Sequence, residues 1–211
     1  MTVELVHVTP NAEELIVKMA RVSAPENESN METAPRLLRY LLKHSHVSPF
    51  EMANMCVAIN TTRGISAQII RHRSFSFQEF SQRYADVAAM GSPEVPQLRR
   101  QDLKNRQNSI DDLTADEKGA YYRRICQIFE DSEHLYREMV SNGVAKECAR
   151  NVLPLASRTR IYMNGTLRSW IHYIQLRESH GTQMEHQIIA KEIKAIFTEQ
   201  FPIIAEAAFS D

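Results

Sequence analysis

Apolar residues recur at every third or fourth position through most of this chain, and that spacing predicts helices. Shorter runs that alternate or are rich in apolar and β-branched residues predict strands. The predicted helices cover residues 12–23, 34–44, 64–72, 115–142, 146–151, 166–177 and 183–201. The predicted strands cover residues 3–8, 52–61 and 158–163.

Together these elements predict an α+β fold, a helix-rich single domain over residues 1–211 with a small, mainly antiparallel sheet. Residues 84–114 are polar and contain two prolines, so we expect a mobile excursion there. Asn164-Gly165 predicts a tight turn after the last strand, and Thr166 has the chemistry of a helix N-cap. The helix over 64–72 is expected to carry Gln68 and Arg71 on one face of its C-terminal end.

The charge balance restricts the kinds of partner that the chain can attract. Its 211 residues carry a formal net charge of −1, so no global field favours nucleic acid or an anionic membrane. No secretory signal and no apolar run long enough for a membrane span is visible. The three cysteines are far apart and form no C-x-x-C pair, which favours reduced thiols in a cytoplasmic protein. Because the net charge is close to zero, any basic site must be local.

One segment, residues 71–83, concentrates that local charge. It reads RHRSFSFQEFSQR, with three arginines, three serines and a single acid, and without lysine, glycine or proline. An arginine fork binds phosphate or carboxylate through two hydrogen bonds and can stack on rings. The segment is either an ordinary amphipathic surface or a pocket for an anionic, partly planar ligand. Arg150, which precedes a Leu-Pro pair, and a helix carrying Arg168, His172 and Arg177 add further anion-binding candidates.

The histidines offer only weak indications of a metal site. His44 and His46 lie two apart without a nearby third ligand, and His180, Glu185 and His186 fit no standard zinc spacing. We therefore expect no metal. Arg150 could instead bond helix-end carbonyls, and His172 could be a hydrogen-bonded core histidine. Ser81 lacks a histidine–acid partner at a recognisable spacing, so we interpret it as a hydrogen-bond donor rather than a nucleophile.

Segment 71–83 resembles the signature of the flavin-dependent thymidylate synthases, R-H-R-x-x-S-x-N-x-x-S-x-R. Six of its seven specified positions match with their spacing intact, and Gln78 stands in the asparagine slot. Blocks at 20–23, 46–51, 149–154 and 167–177 resemble family blocks in the same order. The resemblance therefore extends over roughly residues 15–200.

The resemblance implies an enzyme, a methyltransferase that reductively methylates dUMP to dTMP. Methylenetetrahydrofolate would donate the carbon, NADPH would be the reductant and FAD would carry the hydride. It also implies a homotetramer with active sites shared between subunits, and no nucleic-acid or membrane partner. The positions that resemble dUMP-binding residues are Gln68, Arg71, Glu79, Ser81, Gln82, Arg83, Arg150 and Arg177.

The flavin-contacting positions follow from the same resemblance. They are Ser48, Arg71, His72, Arg73, Glu79, Thr166, Leu167, Arg168 and His172. His46 resembles a histidine near the stacked flavin and folate. Thr166 and His172 stand where many relatives have asparagine, and Met52 where many have histidine.

Arg177 resembles the arginine that polarises the uracil ring, and the chemistry of the residues agrees. Uracil C5 must become nucleophilic before it accepts a one-carbon unit. A cysteine could attack C6, but none of the three cysteines matches a family motif position. A cation beside N3 and O4 would instead stabilise developing negative charge, so Arg177 is the expected catalytic residue. Two other classes stay open from the residues alone: an RNA-binding module that uses segment 71–83, and a metal-dependent hydrolase.

Overall fold

The computed structural model describes residues 1–210, and it confirms the helix-rich α+β class. The helices are α1 (Ala12–Ala20), α2 (Ala34–Lys43), α3 (Arg63–Ile69), α4 (Ala115–Ser141), α5 (Lys146–Ala149), α6 (Leu167–Arg177), α7 (Met184–Gln200) and α8 (Pro202–Phe209). The strands are β1 (Thr2–Val8), β2 (Asn54–Thr62), β3 (Ser76–Glu79), β4 (Arg100–Gln101), β5 (Ser109–Ile110) and β6 (Arg158–Thr166). Short 3₁₀ turns lie at Pro25–Asn27, Ser48–Glu51, Val87–Met90 and Arg150–Val152.

Four strands form the small antiparallel sheet, in the order β1-β2-β6-β3. Strand β2, one of the two inner strands, is buried along most of its length, as its apolar sequence predicts. Strand β6 alternates buried and more exposed positions, which is the pattern of a strand with one covered face. A separate antiparallel pair, β4 and β5, aligns Arg100 with Ile110 and Gln101 with Ser109.

The chain divides into two compact units, which we call the first and second units. The first comprises residues 1–59, 72–77 and 162–210. Its core includes Trp170, whose indole Nε1–H donates to the Met55 carbonyl oxygen at 2.9 Å, and Phe75, whose ring centroid lies 4.6 Å from that of Trp170. Thus α6 is fixed to β2 by a hydrogen bond as well as by apolar packing.

The second unit comprises residues 60–71 and 78–161. Its longest element is α4, which begins with a capping box between Thr114 and Glu117 and has a single buried residue, Tyr136. The Ser132 hydroxyl on α4 donates to the Val152 carbonyl oxygen at 2.7 Å. The unit also contains the whole 84–114 segment, which includes the β4–β5 hairpin; its mobility stays a prediction.

The predicted turn at Asn164-Gly165 is wrong, because β6 continues through both residues to Thr166. A Cβ atom on Gly165 would lie 2.4 Å from the Phe75 ring. The glycine therefore serves the close approach of an aromatic ring and not a turn. The Thr166 cap is confirmed, since its hydroxyl oxygen accepts the Ser169 backbone N–H at 3.3 Å.

Some helix boundaries also differ from the predictions, and one helix is additional to them. Helix α3 ends at Ile69, so Arg71 lies in the following turn and not on the helix with Gln68. Helix α1 ends at Ala20, and the Arg21 guanidinium donates to the Asn27 carbonyl oxygen at 2.8 Å. Helix α8 was not predicted, since the pattern over 183–201 gave no sign that a second helix restarts at Pro202.

Among residues 1–210, no helix is long and apolar enough to cross a membrane.

Candidate active site

Segment 71–83 alternates between buried and exposed side chains. Arg71 and Arg73 are exposed, whereas His72 between them is buried. Along β3, Ser76 and Gln78 are exposed, while Phe77 and Glu79 are half-buried. Gln78, the departure from the family motif, therefore projects from the more exposed face of the strand.

His72 and Arg177 are joined by a hydrogen bond. The Arg177 Nε–H donates to His72 Nε2 at 2.8 Å. The pKa of His72 is lowered from 6.5 to about 4. Burial is the largest cause, followed by the charge of the neighbouring Arg177 and then by His172. His72 is therefore neutral near pH 7, and its Nε2 is an acceptor.

Behind His72 lies a second buried histidine. The Tyr173 hydroxyl and His186 Nε2 are 2.9 Å apart, and neither side chain is exposed. The Tyr173 ring meets the His72 ring edge-on, with centroids 4.8 Å apart. Burial lowers the pKa of His186 to about 3, with smaller contributions from Arg177 and His72, and burial raises the pKa of Tyr173. The group is therefore neutral apart from Arg177.

Glu79 is the centre of a polar cluster in the second unit. Its Oε1 accepts from Arg63 Nη1 at 2.7 Å, from the Ser66 hydroxyl at 2.7 Å and from the Thr159 hydroxyl at 3.0 Å. All three bonds converge on one oxygen. Within residues 1–210, Oε2 has no hydrogen-bond partner, so it is available to a ligand.

A cleft of about 430 Å³ lies beside the C-terminal end of segment 71–83. The Arg83 guanidinium is paired there with Glu147 at 3.0 Å, and Lys146 Nζ donates to the Tyr84 carbonyl oxygen at 3.2 Å. The side chain of Gln82 is buried. The lining residues are Ser81, Arg83, Tyr84, Ala145, Lys146 and Glu147. Two predicted dUMP-binding residues therefore lie in a cleft whose size suits a small ligand.

The other predicted dUMP-binding residues belong to the same unit, apart from Arg177. Gln68 is half-buried near the end of α3. Arg150 is half-buried in its 3₁₀ turn and has no side-chain hydrogen bond or ion pair within residues 1–210. A guanidinium that is partly removed from water without a partner is poised to bind an anion.

The predicted flavin contacts lie mostly in the first unit. Ser48, Arg73 and His172 are exposed, and the exposed Arg168 is ion-paired with Glu51. The Thr166 hydroxyl is used as the α6 cap. His46 is also exposed and belongs to a cluster of rings with Tyr40 and His44.

Leu167 is placed differently from the other predicted flavin contacts. Its side chain is buried, and its backbone N–H donates to the Ala53 carbonyl oxygen at 3.0 Å. Neither of those groups is therefore free for a ligand.

Neither the family motif nor the apolar spacing identifies the residues that hold the predicted site residues in place. The sequence gives no role to Tyr173, and it offers His186 only as a weak metal candidate. Tyr173 lies four residues before Arg177 on α6, a spacing that could have linked them. No sequence signal relates Arg63, Ser66 and Thr159 to Glu79. Within residues 1–210, no group of three or more His, Cys, Asp or Glu side chains could hold a metal ion.

The chain is similar to known proteins over nearly its whole length. The family described as thymidylate synthase complementing protein matches residues 4–203. A probable flavin-dependent thymidylate synthase of Paramecium bursaria Chlorella virus 1 is 52% identical over 196 residues, 93% of this chain and 90% of that protein. A flavin-dependent thymidylate synthase of Synechocystis is 47% identical over 195 residues, covering 92% and 88%.

A solved structure agrees with the sequence matches. The UMP/dUMP methylase PolB of Streptomyces cacaoi, crystallised with 5-Br dUMP, superposes with a TM-score of 0.87 at 29% identity. The superposition covers 98% of this chain and 93% of that one. The chain is thus an enzyme, and it belongs to the flavin-dependent thymidylate synthase family, as the motif predicted.

Proposed function

We propose that this enzyme methylates dUMP to dTMP, with methylenetetrahydrofolate as carbon donor, NADPH as reductant and FAD as hydride carrier. The overall reaction balances: dUMP, methylenetetrahydrofolate, NADPH and a proton give dTMP, tetrahydrofolate and NADP⁺. The match to flavin-dependent thymidylate synthases and to a dUMP methylase supports the proposal.

One observation carries the proposed mechanism. The guanidinium of Arg177 has a neutral imidazole as its partner, and within residues 1–210 it has no ion pair with a carboxylate. Its positive charge is therefore not cancelled locally. A half-buried, uncompensated cation stabilises negative charge that develops on a uracil ring beside it. No cysteine nucleophile is needed in this scheme.

The residues present also suit the dUMP phosphate and sugar. Ser81 and Arg83 line the 430 Å³ cleft, and Arg150 is half-buried without an ion-pair partner among residues 1–210. Arginine forks and hydroxyl groups are the usual partners of a phosphate dianion. In this proposal Arg83 exchanges its Glu147 partner for the phosphate, while Glu79 offers Oε2 to a sugar hydroxyl.

The donor set fits an FAD as well. Arg73 is exposed and free of ion pairs within residues 1–210, and Ser48, His172 and Arg168 add donors on the first unit. Arginine can hold a pyrophosphate without a glycine-rich loop. When bound, FAD supplies the hydride transfer, and the protein orients and polarises the reactants. His46 is proposed to lie near the flavin and the folate.

A homotetramer completes the proposal, with active sites shared between subunits in the cytoplasm. The exposed face of α4 supports self-association. Tyr121, Ile128 and Leu135 are 55%, 60% and 45% exposed, and they recur every seven residues. Side chains at that spacing share one face of a helix. Such an apolar row on a long helix suits a partner subunit.

The test is dUMP-dependent oxidation of NADPH by the purified, flavin-loaded protein, with tetrahydrofolate and dTMP as products. Arg177→Ala should lower kcat by about 10²- to 10³-fold, because a donor aimed at developing charge is lost. Arg106→Ala, which removes an exposed arginine outside the proposed site, should leave turnover unchanged.

Two results would contradict the proposal. Wild-type turnover in Arg177→Ala would exclude Arg177 from the mechanism. A colourless protein that fails to bind added FAD, shown by the missing visible absorption, would overturn the proposed cofactor.

A further inference from the structure

We propose that His72 is a positioning residue for Arg177: by accepting the Nε–H, it fixes the guanidinium plane and leaves both terminal amino groups to the substrate. This inference rests on the proposed function of Arg177. It gives His72 a task in addition to the flavin contact that the family resemblance predicts.

The hydrogen bond defines the state of the His72 ring. Arginine has no acceptor and stays protonated, so Nε2 of His72 must be the acceptor in the 2.8 Å contact. A neutral imidazole that accepts at Nε2 carries its proton at Nδ1. An imidazolium could not accept this bond and would repel the guanidinium. The Arg177 Nε–H therefore selects one tautomer of a buried neutral histidine.

A neutral acceptor has an effect that a carboxylate could not have. A carboxylate would pair with two guanidinium N–H groups and cancel the charge. Imidazole takes the single Nε–H, and within residues 1–210 neither terminal nitrogen of Arg177 has a hydrogen-bond partner. The side chain is thus oriented while its charge and four terminal N–H donors stay available.

The surroundings of His72 keep its ring in place. Its backbone carbonyl oxygen accepts the Phe75 N–H at 3.1 Å, and its ring meets Tyr173 edge-on at 4.8 Å. Tyr173 is in turn held by His186 through the 2.9 Å contact at its hydroxyl. His72 is 9% exposed, and Tyr173 and His186 are fully buried. Because the imidazole is already buried and closely packed, it loses little further conformational entropy when it holds the flexible arginine side chain.

Two matched variants separate acceptor chemistry from packing. Gln and Met are similar in length and volume, but only Gln offers a strong acceptor. In the flavin-loaded enzyme, His72→Met should lower the dUMP-dependent kcat by about 10²-fold, because a misplaced catalytic group costs that order of rate. His72→Gln, which keeps an acceptor, should retain most of the wild-type kcat. His180→Met, at an exposed position, is the control for substituting a histidine near Arg177.

A second readout does not depend on turnover. In protein labelled with ¹⁵N at arginine, the Nε–H resonance of Arg177, assigned by its loss in Arg177→Lys, reports on the hydrogen bond. Its exchange with water should be at least about tenfold slower than that of exposed arginines, in line with a bond of ordinary strength. The protection should persist in His72→Gln and disappear in His72→Met.

The outcomes are distinct. Equal kcat in the Gln and Met variants, or fast exchange at Arg177 Nε–H in the wild-type enzyme, would overturn the positioning role. If His72→Met does not fold, the wild-type exchange rate still decides. If wild-type protein shows no dUMP-dependent turnover, the proposed function fails. In that case slow exchange would still support the His72–Arg177 bond and fast exchange would refute it.

Discussion

At the scale of single residues, buried histidines set the chemistry of this molecule. His72 and His186 are both neutral, and they surround Tyr173 on α6, the helix that ends with Arg177. Their neutrality comes first from burial and is reinforced by the positive charge of Arg177. A single permanent cation thus stands among uncharged polar groups, where its field is weakly screened.

Stability should fall in acid because of these histidines. Their pKa values drop from 6.5 to about 4 for His72 and about 3 for His186. Between pH 6.5 and those values the unfolded chain binds more protons than the folded one, so the free energy of unfolding decreases as pH falls; above pH 6.5 this effect vanishes. His186→Gln, which keeps a partner for Tyr173, should flatten the acid side of a stability–pH curve measured with urea.

The exposed His180 provides the control for this titration. His180→Gln should leave the acid dependence as in the wild type. If His186→Gln also left it unchanged, His186 would not be a neutral buried group in the folded protein.

At the scale of elements, strand β6 and helix α6 together position Arg177, the proposed catalytic residue. Thr166 is the last residue of β6 and the N-cap of α6, so the start of α6 is fixed by a local hydrogen bond. The end of α6 then delivers Arg177 to His72. Because Gly165 admits the Phe75 ring against β6, the turn that contains His72 is held close to the same strand.

Gly165→Ala tests that close approach. The added Cβ would lie 2.4 Å from the Phe75 ring, which must move. We expect a loss of about 1–3 kcal/mol in unfolding free energy, the usual cost of overpacking. Thermal or urea unfolding measures it, with Gly119→Ala on α4, where a Cβ meets nothing within 4 Å, as the control. A Gly165→Ala protein as stable as the wild type would mean that Phe75 relocates without cost.

Local signals in the sequence predicted elements well, whereas long-range contacts could not be predicted. The Thr166 cap depends on residues three positions apart, so the local sequence predicts it. Gly165 was misassigned because its partner, Phe75, lies 90 positions away and nothing local reveals it. The candidate site residues follow from the family resemblance, but the bond between His72 and Arg177, 105 positions apart, needed the fold.

At the scale of the whole molecule, the long helix α4 suggests how copies associate. Its apolar row of Tyr121, Ile128 and Leu135 is exposed in the single chain. If the proposed homotetramer forms, the chain of 24.3 kDa should elute and scatter light as an assembly of four.

A charge in that row tests the association. Ile128→Glu should shift the mass measured by light scattering towards smaller species, since burying an unpaired carboxylate is costly. Glu130→Gln, at an exposed position near it on the helix, should keep the wild-type mass. An unchanged mass for Ile128→Glu would place the contacts between subunits elsewhere.

The packing of Trp170 also gives the protein a built-in optical reporter. The chain has one tryptophan among its seven tyrosines, so emission excited selectively at the indole comes from a single known place. That indole is fully buried, donates a hydrogen bond to the Met55 carbonyl oxygen and packs edge-on against Phe75. Phe75 lies three residues after His72 in the chain. Emission wavelength and quenching therefore follow the turn that bears the histidine of the RHR motif. Rearrangements of that turn can be timed in solution without attaching a dye.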